Sequence, residues 1–477
     1  MKRCLFVLIF LLGYLGAETL VLGLESAKEI ALKNNPSIKI AEKSVKSAQA
    51  KIIESRGGLM PTIDAFSSLE HSWDLQKSKI PNFLKPTLAP NNLAIGNSLK
   101  ILGNEMNNQD LIAHGNGLIQ SAELMPDYME MAFGLENTLV AGVKLEQPIF
   151  VGGALWKSYQ ISKIIRNIAY KQLEVAIQNL LDNVTQAYYF TLYAKSAKVV
   201  SKEALVSAEE NLTQVKKFYD SGKASRLDLL RAEVQLENLR PALISAENRL
   251  TLAYSRLNII MGFKESESII VSDKMEYKES PLQKMKLEEL VDLAKRSRPE
   301  IDILKYQQQI SNKQLMVARG AYLPAVTLGS TYQYIGMRNN LDFVEDDFNK
   351  SFSTSLSISL PLFTGFKRNA KIQQVKIQRN ELEDRMNSTV DGIKLEVEEA
   401  YFSMSEAEKK VQTQKKAIEQ AKEALRLATL MYKEGGATQL DVLNSNLSLN
   451  TARMNYQESL FEFNTAISKL SKAISKL

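Results

Sequence analysis

The sequence predicts a mainly α-helical fold that carries four β-strands of membrane-crossing length and is built from two internal repeats. Three observations predict it. Landmarks recur at a fixed spacing, short segments alternate apolar with serine, and long segments lack both proline and glycine. The segment Gln147-Pro148-Ile149-Phe150-Val151-Gly152-Gly153 returns as Leu360-Pro361-Leu362-Phe363-Thr364-Gly365-Phe366, and Tyr219-Asp220-Ser221-Gly222 returns as Tyr432-Lys433-Glu434-Gly435, both 213 residues later. A constant offset over that distance marks two halves of one architecture. At the start of each half, Pro36 and Pro61 find counterparts in Pro299 and Pro324, 263 residues on. The first half is therefore longer by 263 minus 213, or 50, residues between Ile63 and Gln147.

Taken in order, residues 1–17 read as a signal peptide: Lys2 and Arg3, then an apolar run from Leu5 to Leu15 and small residues up to Ala17. Residues 18–262 form the first repeat, 263–286 a linker and 287–477 the second repeat. Each repeat is expected to run helix, strand, strand, long helix, tight turn, long helix. The clearest strand is 352–362, where Phe352, Leu356, Ile358, Leu360 and Leu362 alternate with Ser353, Ser355, Ser357 and Ser359. Period-two alternation gives one apolar and one polar face. Its counterpart covers Leu139 to Glu146, and partner strands are expected at about 62–73 and 325–335. Strands of about ten residues suffice to cross an outer membrane obliquely. The insertion, about 74–127, is rich in Asn, Leu and Pro without strong period, and is expected as a long extracellular loop between two strands.

Ala154 to Asp220 holds neither proline nor glycine, enough for a helix on the order of 100 Å. The helices that follow the turns carry Leu243, Ala246, Leu250, Ala253, Leu257 and Ile260, and Leu460, Phe463, Ile467, Leu470, Ile474 and Leu477. This three-four spacing is that of a coiled-coil seam. Pro241 interrupts the first of them and predicts a kink or a join. The turns at 219–228 and 432–441 each end in a hydroxyl residue three positions before an acid, Ser225 with Asp228 and Thr438 with Asp441, the signature of a capping box. Gly222 and Gly435 fit the turns themselves, and Gly152 and Gly365 fit strand-to-helix junctions beside Pro148 and Pro361.

Composition narrows the function classes. The net charge of +6 falls to about +4 without Lys2 and Arg3, too little for nucleic-acid binding. Cys4 is the only cysteine, so disulfides and thiol ligands are not expected in an exported chain. His71 and His114 are the only histidines and have no ligand-spaced companion, which gives no metal site. No nucleophile elbow, zinc-protease, phosphate-loop or dinucleotide motif occurs, so neither catalytic residues nor cofactors are expected. No later apolar run reaches the roughly 20 residues of a spanning helix, so any membrane crossing falls to strands. Four strands cannot close a barrel, and an open edge in lipid leaves backbone groups unpaired at several kcal/mol each. The smallest symmetric closure with a usable channel is a homotrimer with one barrel of about twelve strands.

At these residues the chain resembles the TolC family, the outer-membrane exit ducts of bacterial tripartite efflux pumps and type I secretion systems. The duplicated Pro-[Ile/Leu]-Phe-x-Gly junction and the duplicated Tyr-x-x-Gly turn followed by Leu-Asp-[Leu/Val]-Leu carry the resemblance over essentially the whole chain. It implies a homotrimer with a 12-stranded β-barrel, four strands per chain, continued by an α-helical coiled-coil tunnel through the periplasm. It implies a periplasmic adaptor and an inner-membrane transporter of RND or ABC type as partners, outer-membrane lipid around the barrel, and passive export of drugs, detergents or other toxic compounds. Protein secretion is the alternative within the class. A trimeric structural or adhesive surface protein is the alternative outside it, disfavoured because strands occur twice and the chain ends in a helix. The resemblance places adaptor contacts at Gly222 and Gly435, a gate hydrogen bond between Asp228 and Tyr432, and a selectivity ring at Asp441. Asn444 and Ala437 stand where the family has a second acid and a gate arginine, which leaves Arg226 as a candidate cation.

Overall fold

The computed structural model describes residues 20–132, 134–263 and 269–476. The expected signal peptide lies outside the described residues, as does Leu477 at the end of the second seam. The chain divides into a helical unit, holding the residues up to Arg56, Gly153–Gly320 and those from Phe363 on, and a strand unit of Gly57–Gly152 and Ala321–Leu362.

In the helical unit, β1 (Leu20–Leu22) leads into α1 (Leu24–Asn34) and α2 (Pro36–Gly57). Two helices of 67 residues follow their own strands: α5 (Ala154–Asp220) and α9 (Lys367–Lys433). Each turns back at a tight bend into a shorter helix, α6 (Arg226–Met261) or α10 (Gln439–Ala473). Between them lie β6 (Ile269–Val271), α7 (Leu287–Ser297) and α8 (Pro299–Gly320). The helix α6 runs unbroken through Pro241, contrary to the expected join. Pro241 sits on an exposed face, where a missing N–H leaves its carbonyl partner open to water.

One core serves both halves. Leu22, Ala27, Val184, Tyr188, Leu257, Leu290, Val397, Phe463 and Leu470 all belong to it and are shut off from solvent. β1 pairs in parallel with β6, with Leu20 opposite Ile269. The Tyr188 hydroxyl closes this corner, 2.7 Å from Asp273 Oδ2 and 2.9 Å from the Leu22 carbonyl oxygen. Burial, then the Asp273 carboxylate, pushes its pKa up. Arg298, at the α7–α8 junction with 8% of its side chain exposed, lies 2.7 Å from Glu396 on α9 and 3.1 Å from Glu300. Its Nη1 also approaches the Lys472 carbonyl at 3.4 Å, so one cation ties three helices and meets the negative end of α10.

In the strand unit, β2 (Thr62–His71), β5 (Asn137–Val151), β7 (Ala325–Arg338) and β8 (Phe348–Ser359) form one antiparallel sheet in the order β2-β5-β7-β8. Pro148 lies inside β5, not at its end, and the ladder with β7 shifts register between Pro148 and Phe150 because proline has no N–H to give. The strand β8 stops at Ser359, ahead of Pro361. The edges of the sheet are β2 and β8, and β8 is exposed on both faces along almost its whole length.

The insertion is not a loop. It contains the hairpin β3 (Lys77–Pro81) with β4 (Tyr128–Ala132), and between them two helices, α3 (Lys85–Glu105) and α4 (Gln109–Glu123). Pro86 sits in the first turn of α3, where it has no bond to break, and Asn108 caps α4 through Asp110 and Leu111 N–H. The two helices touch through glycine: a Cβ on Gly96 would come within 2.8 Å of the Gly115 carbonyl oxygen. At the α3–α4 contact glycine stands where a helical pair would usually show leucine, so that contact leaves no apolar period in the sequence.

Candidate functional site: the two helical tips

The α5–α6 and α9–α10 bends share one construction. Each long helix ends in a glycine with left-handed backbone, Gly222 at φ +71° and Gly435 at φ +81°. A Cβ would meet nothing within 4 Å at either, so only backbone strain selects glycine there. The chain then enters the return helix through a full capping box. Asp228 accepts from Ser225 Oγ at 2.6 Å while its own N–H donates to that hydroxyl at 3.1 Å. Asp441 accepts from Thr438 Oγ1 at 2.6 Å and from the Thr438 N–H at 2.8 Å. These bonds hold the exposed Asp441 carboxyl below its ordinary value of 3.8.

The expected bond between Asp228 and Tyr432 is absent. The Tyr432 hydroxyl is shut off from solvent and has no hydrogen-bond partner among the described residues, while Asp228 Oδ2 is spent on Ser225. Burial, and to a smaller degree the Asp228 charge, pushes the Tyr432 pKa up. The Tyr432 ring does join the two tips, packing 5.6 Å from Phe218 at the end of α5. The cation beside Asp228 is Arg231, at 3.8 Å, rather than Arg226.

Two features went unread in the sequence. Gln439, the first residue of α10, is 1% exposed and neither amide atom has a partner among the described residues. Leu227, Leu230 and Val234 on α6 face Leu440, Leu443 and Leu447 on α10 across an open apolar groove of about 420 Å³. The signal for the groove is present, since the three positions on α10 are those on α6 displaced by 213 residues. Buried glutamine leaves no such trace.

At the junctions, positive φ occurs in pairs, Gly152 (+56°) with Gly153 (+75°) and Gly365 (+59°) with Phe366 (+63°). A phenylalanine there costs about 1–2 kcal/mol, so the reversal is required even where glycine is not supplied. Among the described residues no cluster of His, Cys, Asp or Glu has the arrangement to hold a metal, and no helix is long and apolar enough to cross a membrane.

A sequence model of the outer membrane efflux protein family matches residues 133–262 and 290–474, which take in both tips and both long helices. The chain belongs to that family. Its place is the outer membrane, and its relatives are channels and ducts. It is 21% identical to the outer membrane protein TolC of Vibrio cholerae over 342 residues, 72% of this chain and 77% of that one. It is 20% identical to the alkaline protease secretion protein AprF of Pseudomonas aeruginosa over 341 residues, 70% of this chain and 69% of the other. Among solved structures the outer-membrane channel OprN superposes with a TM-score of 0.73 at 16% identity, covering 95% of this chain and 90% of that one. The Campylobacter jejuni channel CmeC gives 0.70 at 17% identity, over 95% and 85%. At such identities the superpositions establish the fold. The family match stops short of the insertion.

Proposed function

We propose that the chain is the outer-membrane exit duct of a tripartite efflux pump, working as a homotrimer whose three four-stranded sheets close into one 12-stranded barrel and whose long helices continue it as a periplasmic tunnel. The observation that carries this is the open sheet. Its edges β2 and β8 have no partner among the described residues of the chain, and unpaired edges in lipid are prohibitively costly. Joining β8 of one copy to β2 of the next removes every edge at once.

In this reading the two halves are repeats, solutes pass passively, and the inner-membrane transporter, of RND or ABC type, supplies the energy. Drugs, detergents and other toxic compounds are the cargo. The tips form the periplasmic gate and meet the adaptor at Gly222, Gly435 and the leucine groove between them. Asp228 holds its tip as a helix cap, Tyr432 couples the tips through its ring, and Asp441 from three copies forms the selectivity ring. Similarity to a protease secretion component supports a second reading within the same class, the duct of a type I secretion system. Detergent-extracted outer membranes should yield trimers, and loss of the chain should raise drug and detergent sensitivity. Protein export lost with drug resistance intact would favour the second reading. A stable monomer would overturn both.

A further inference from the structure

We infer that the insertion builds a contact between copies of this chain: the α3 helices of three copies pack side by side and narrow the external mouth of the duct. This rests on the trimeric reading above.

Helix α3 has two apolar strips. One consists of Ala89, Gly96 and Gly103, is buried, and seats α4. The other consists of Leu88, Ile95 and Leu102, each seven residues apart, with Leu84 and Met106 at its two ends. These five are between 41% and 67% exposed. Seven-residue spacing lays side chains along one line on a helix and is the pattern that seats a second helix. Helix α4 cannot be that partner, because it is already on the glycine side. Asn91 falls between Leu88 and Ile95 in the same strip. Lipid would leave its amide unpaired, whereas a helical seam pairs it with its equivalent in the next copy and thereby fixes register.

The position of the insertion in the sheet says which helix arrives. It departs from β2, an edge strand, and returns into β5 beside it. An edge strand is where a neighbouring copy must pair, so the insertion emerges at the seam between copies. Rotational symmetry gives the α3 helices of the copies the same sense along the trimer axis, which excludes an antiparallel seam.

Ile95→Cys tests this, because the only native cysteine is Cys4. In detergent-solubilised trimers, Ile95→Cys should link into dimers on mild oxidation, with Leu102→Cys doing the same as a second site. Asn97→Cys, about 200° further round the helix, should not. Trimers in which neither Ile95→Cys nor Leu102→Cys links would overturn the inference and leave the duct reading standing. Quenching by brominated lipid of a thiol-linked label on the Ile95→Cys variant, in place of cross-linking, would overturn it in favour of a bilayer-covered strip. Absence of trimers altogether would instead refute the duct reading.

Discussion

Tyr432→Phe separates two ways of holding the tips shut. If the hydroxyl bonds Asp228 in the assembled duct, its loss removes a bond to a charged group worth about 1.5–3 kcal/mol per copy, or roughly 4.5–9 kcal/mol over three. At about 1.4 kcal/mol per tenfold, the closed state would lose a factor of at least about a thousand, and the channel would stand open. The geometry predicts otherwise. The hydroxyl has no partner among the described residues and is shielded, and Asp228 is engaged by Ser225 at 2.6 Å. Removing a buried unpaired hydroxyl costs nothing and relieves desolvation. Phenylalanine also keeps the ring contact with Phe218. Asp228→Ala, by contrast, breaks a capping box worth about 1 kcal/mol in each copy, about 3 kcal/mol in all, which shifts the tip equilibrium by up to about a hundredfold to the extent that opening undoes the box. In planar bilayers Tyr432→Phe should therefore match the wild-type resting conductance, while Asp228→Ala should exceed it. A Tyr432→Phe channel as open as Asp228→Ala would refute the reasoning and place the bond between copies.

Gly435→Trp should abolish efflux-dependent resistance with normal trimer yield, while Gly435→Asn, which tolerates φ +81°, should retain it; equal loss in both would make the defect one of backbone strain. Asp441→Asn should reduce cation preference, read as a smaller reversal potential in asymmetric salt, because it removes the charge of the proposed Asp441 ring and leaves the helix folded. The Asp441 carboxyl is depressed, so its cap is at full strength above 3.8 and is lost as pH falls below that; amide exchange at the start of α10 should rise only in that acid range. Arg298→Met should lower stability by about 2–3 kcal/mol, less than for a fully buried pair because Glu396 is 42% exposed and can be hydrated, and a calorimetric midpoint unchanged from wild type would refute the tie.

What the sequence discloses follows physical lines. The alternation in β8 and the capping boxes at Ser225 and Thr438 are local patterns, legible because a strand face or a helix start needs only neighbours two or three residues away. The α3–α4 hairpin is illegible for the opposite reason. Its contact depends on the absence of side chains at Gly96, Gly103 and Gly115, which reads as turn composition until the partner helix is seen. Pro90 inside α3 and Pro241 inside α6 mislead in the same direction, since a helix tolerates proline where its freed carbonyl reaches water. At the tip, the resemblance supplies a Tyr432–Asp228 pair that the single chain does not form, its Asp228 Oδ2 being taken up in the capping box. Gln439 shows how burial of a polar side chain escapes any reading of spacing.

The parallel pair of β1 with β6 makes the two halves inseparable during biogenesis. Leu20 must wait for Ile269, and Leu22 cannot be covered until the segment around Asp273 has been delivered. The side chains that finish the same core, Phe463 and Leu470, come last of all. Contacts of such separation are slow to form because a long loop must close first. A fragment ending at Gly262 would hold a whole hairpin yet present Leu22, Val184 and Leu257 to solvent. The recurring landmarks therefore bring no folding independence here, and holdases that guard newly exported chains would have to escort nearly the entire polypeptide before either half could be released.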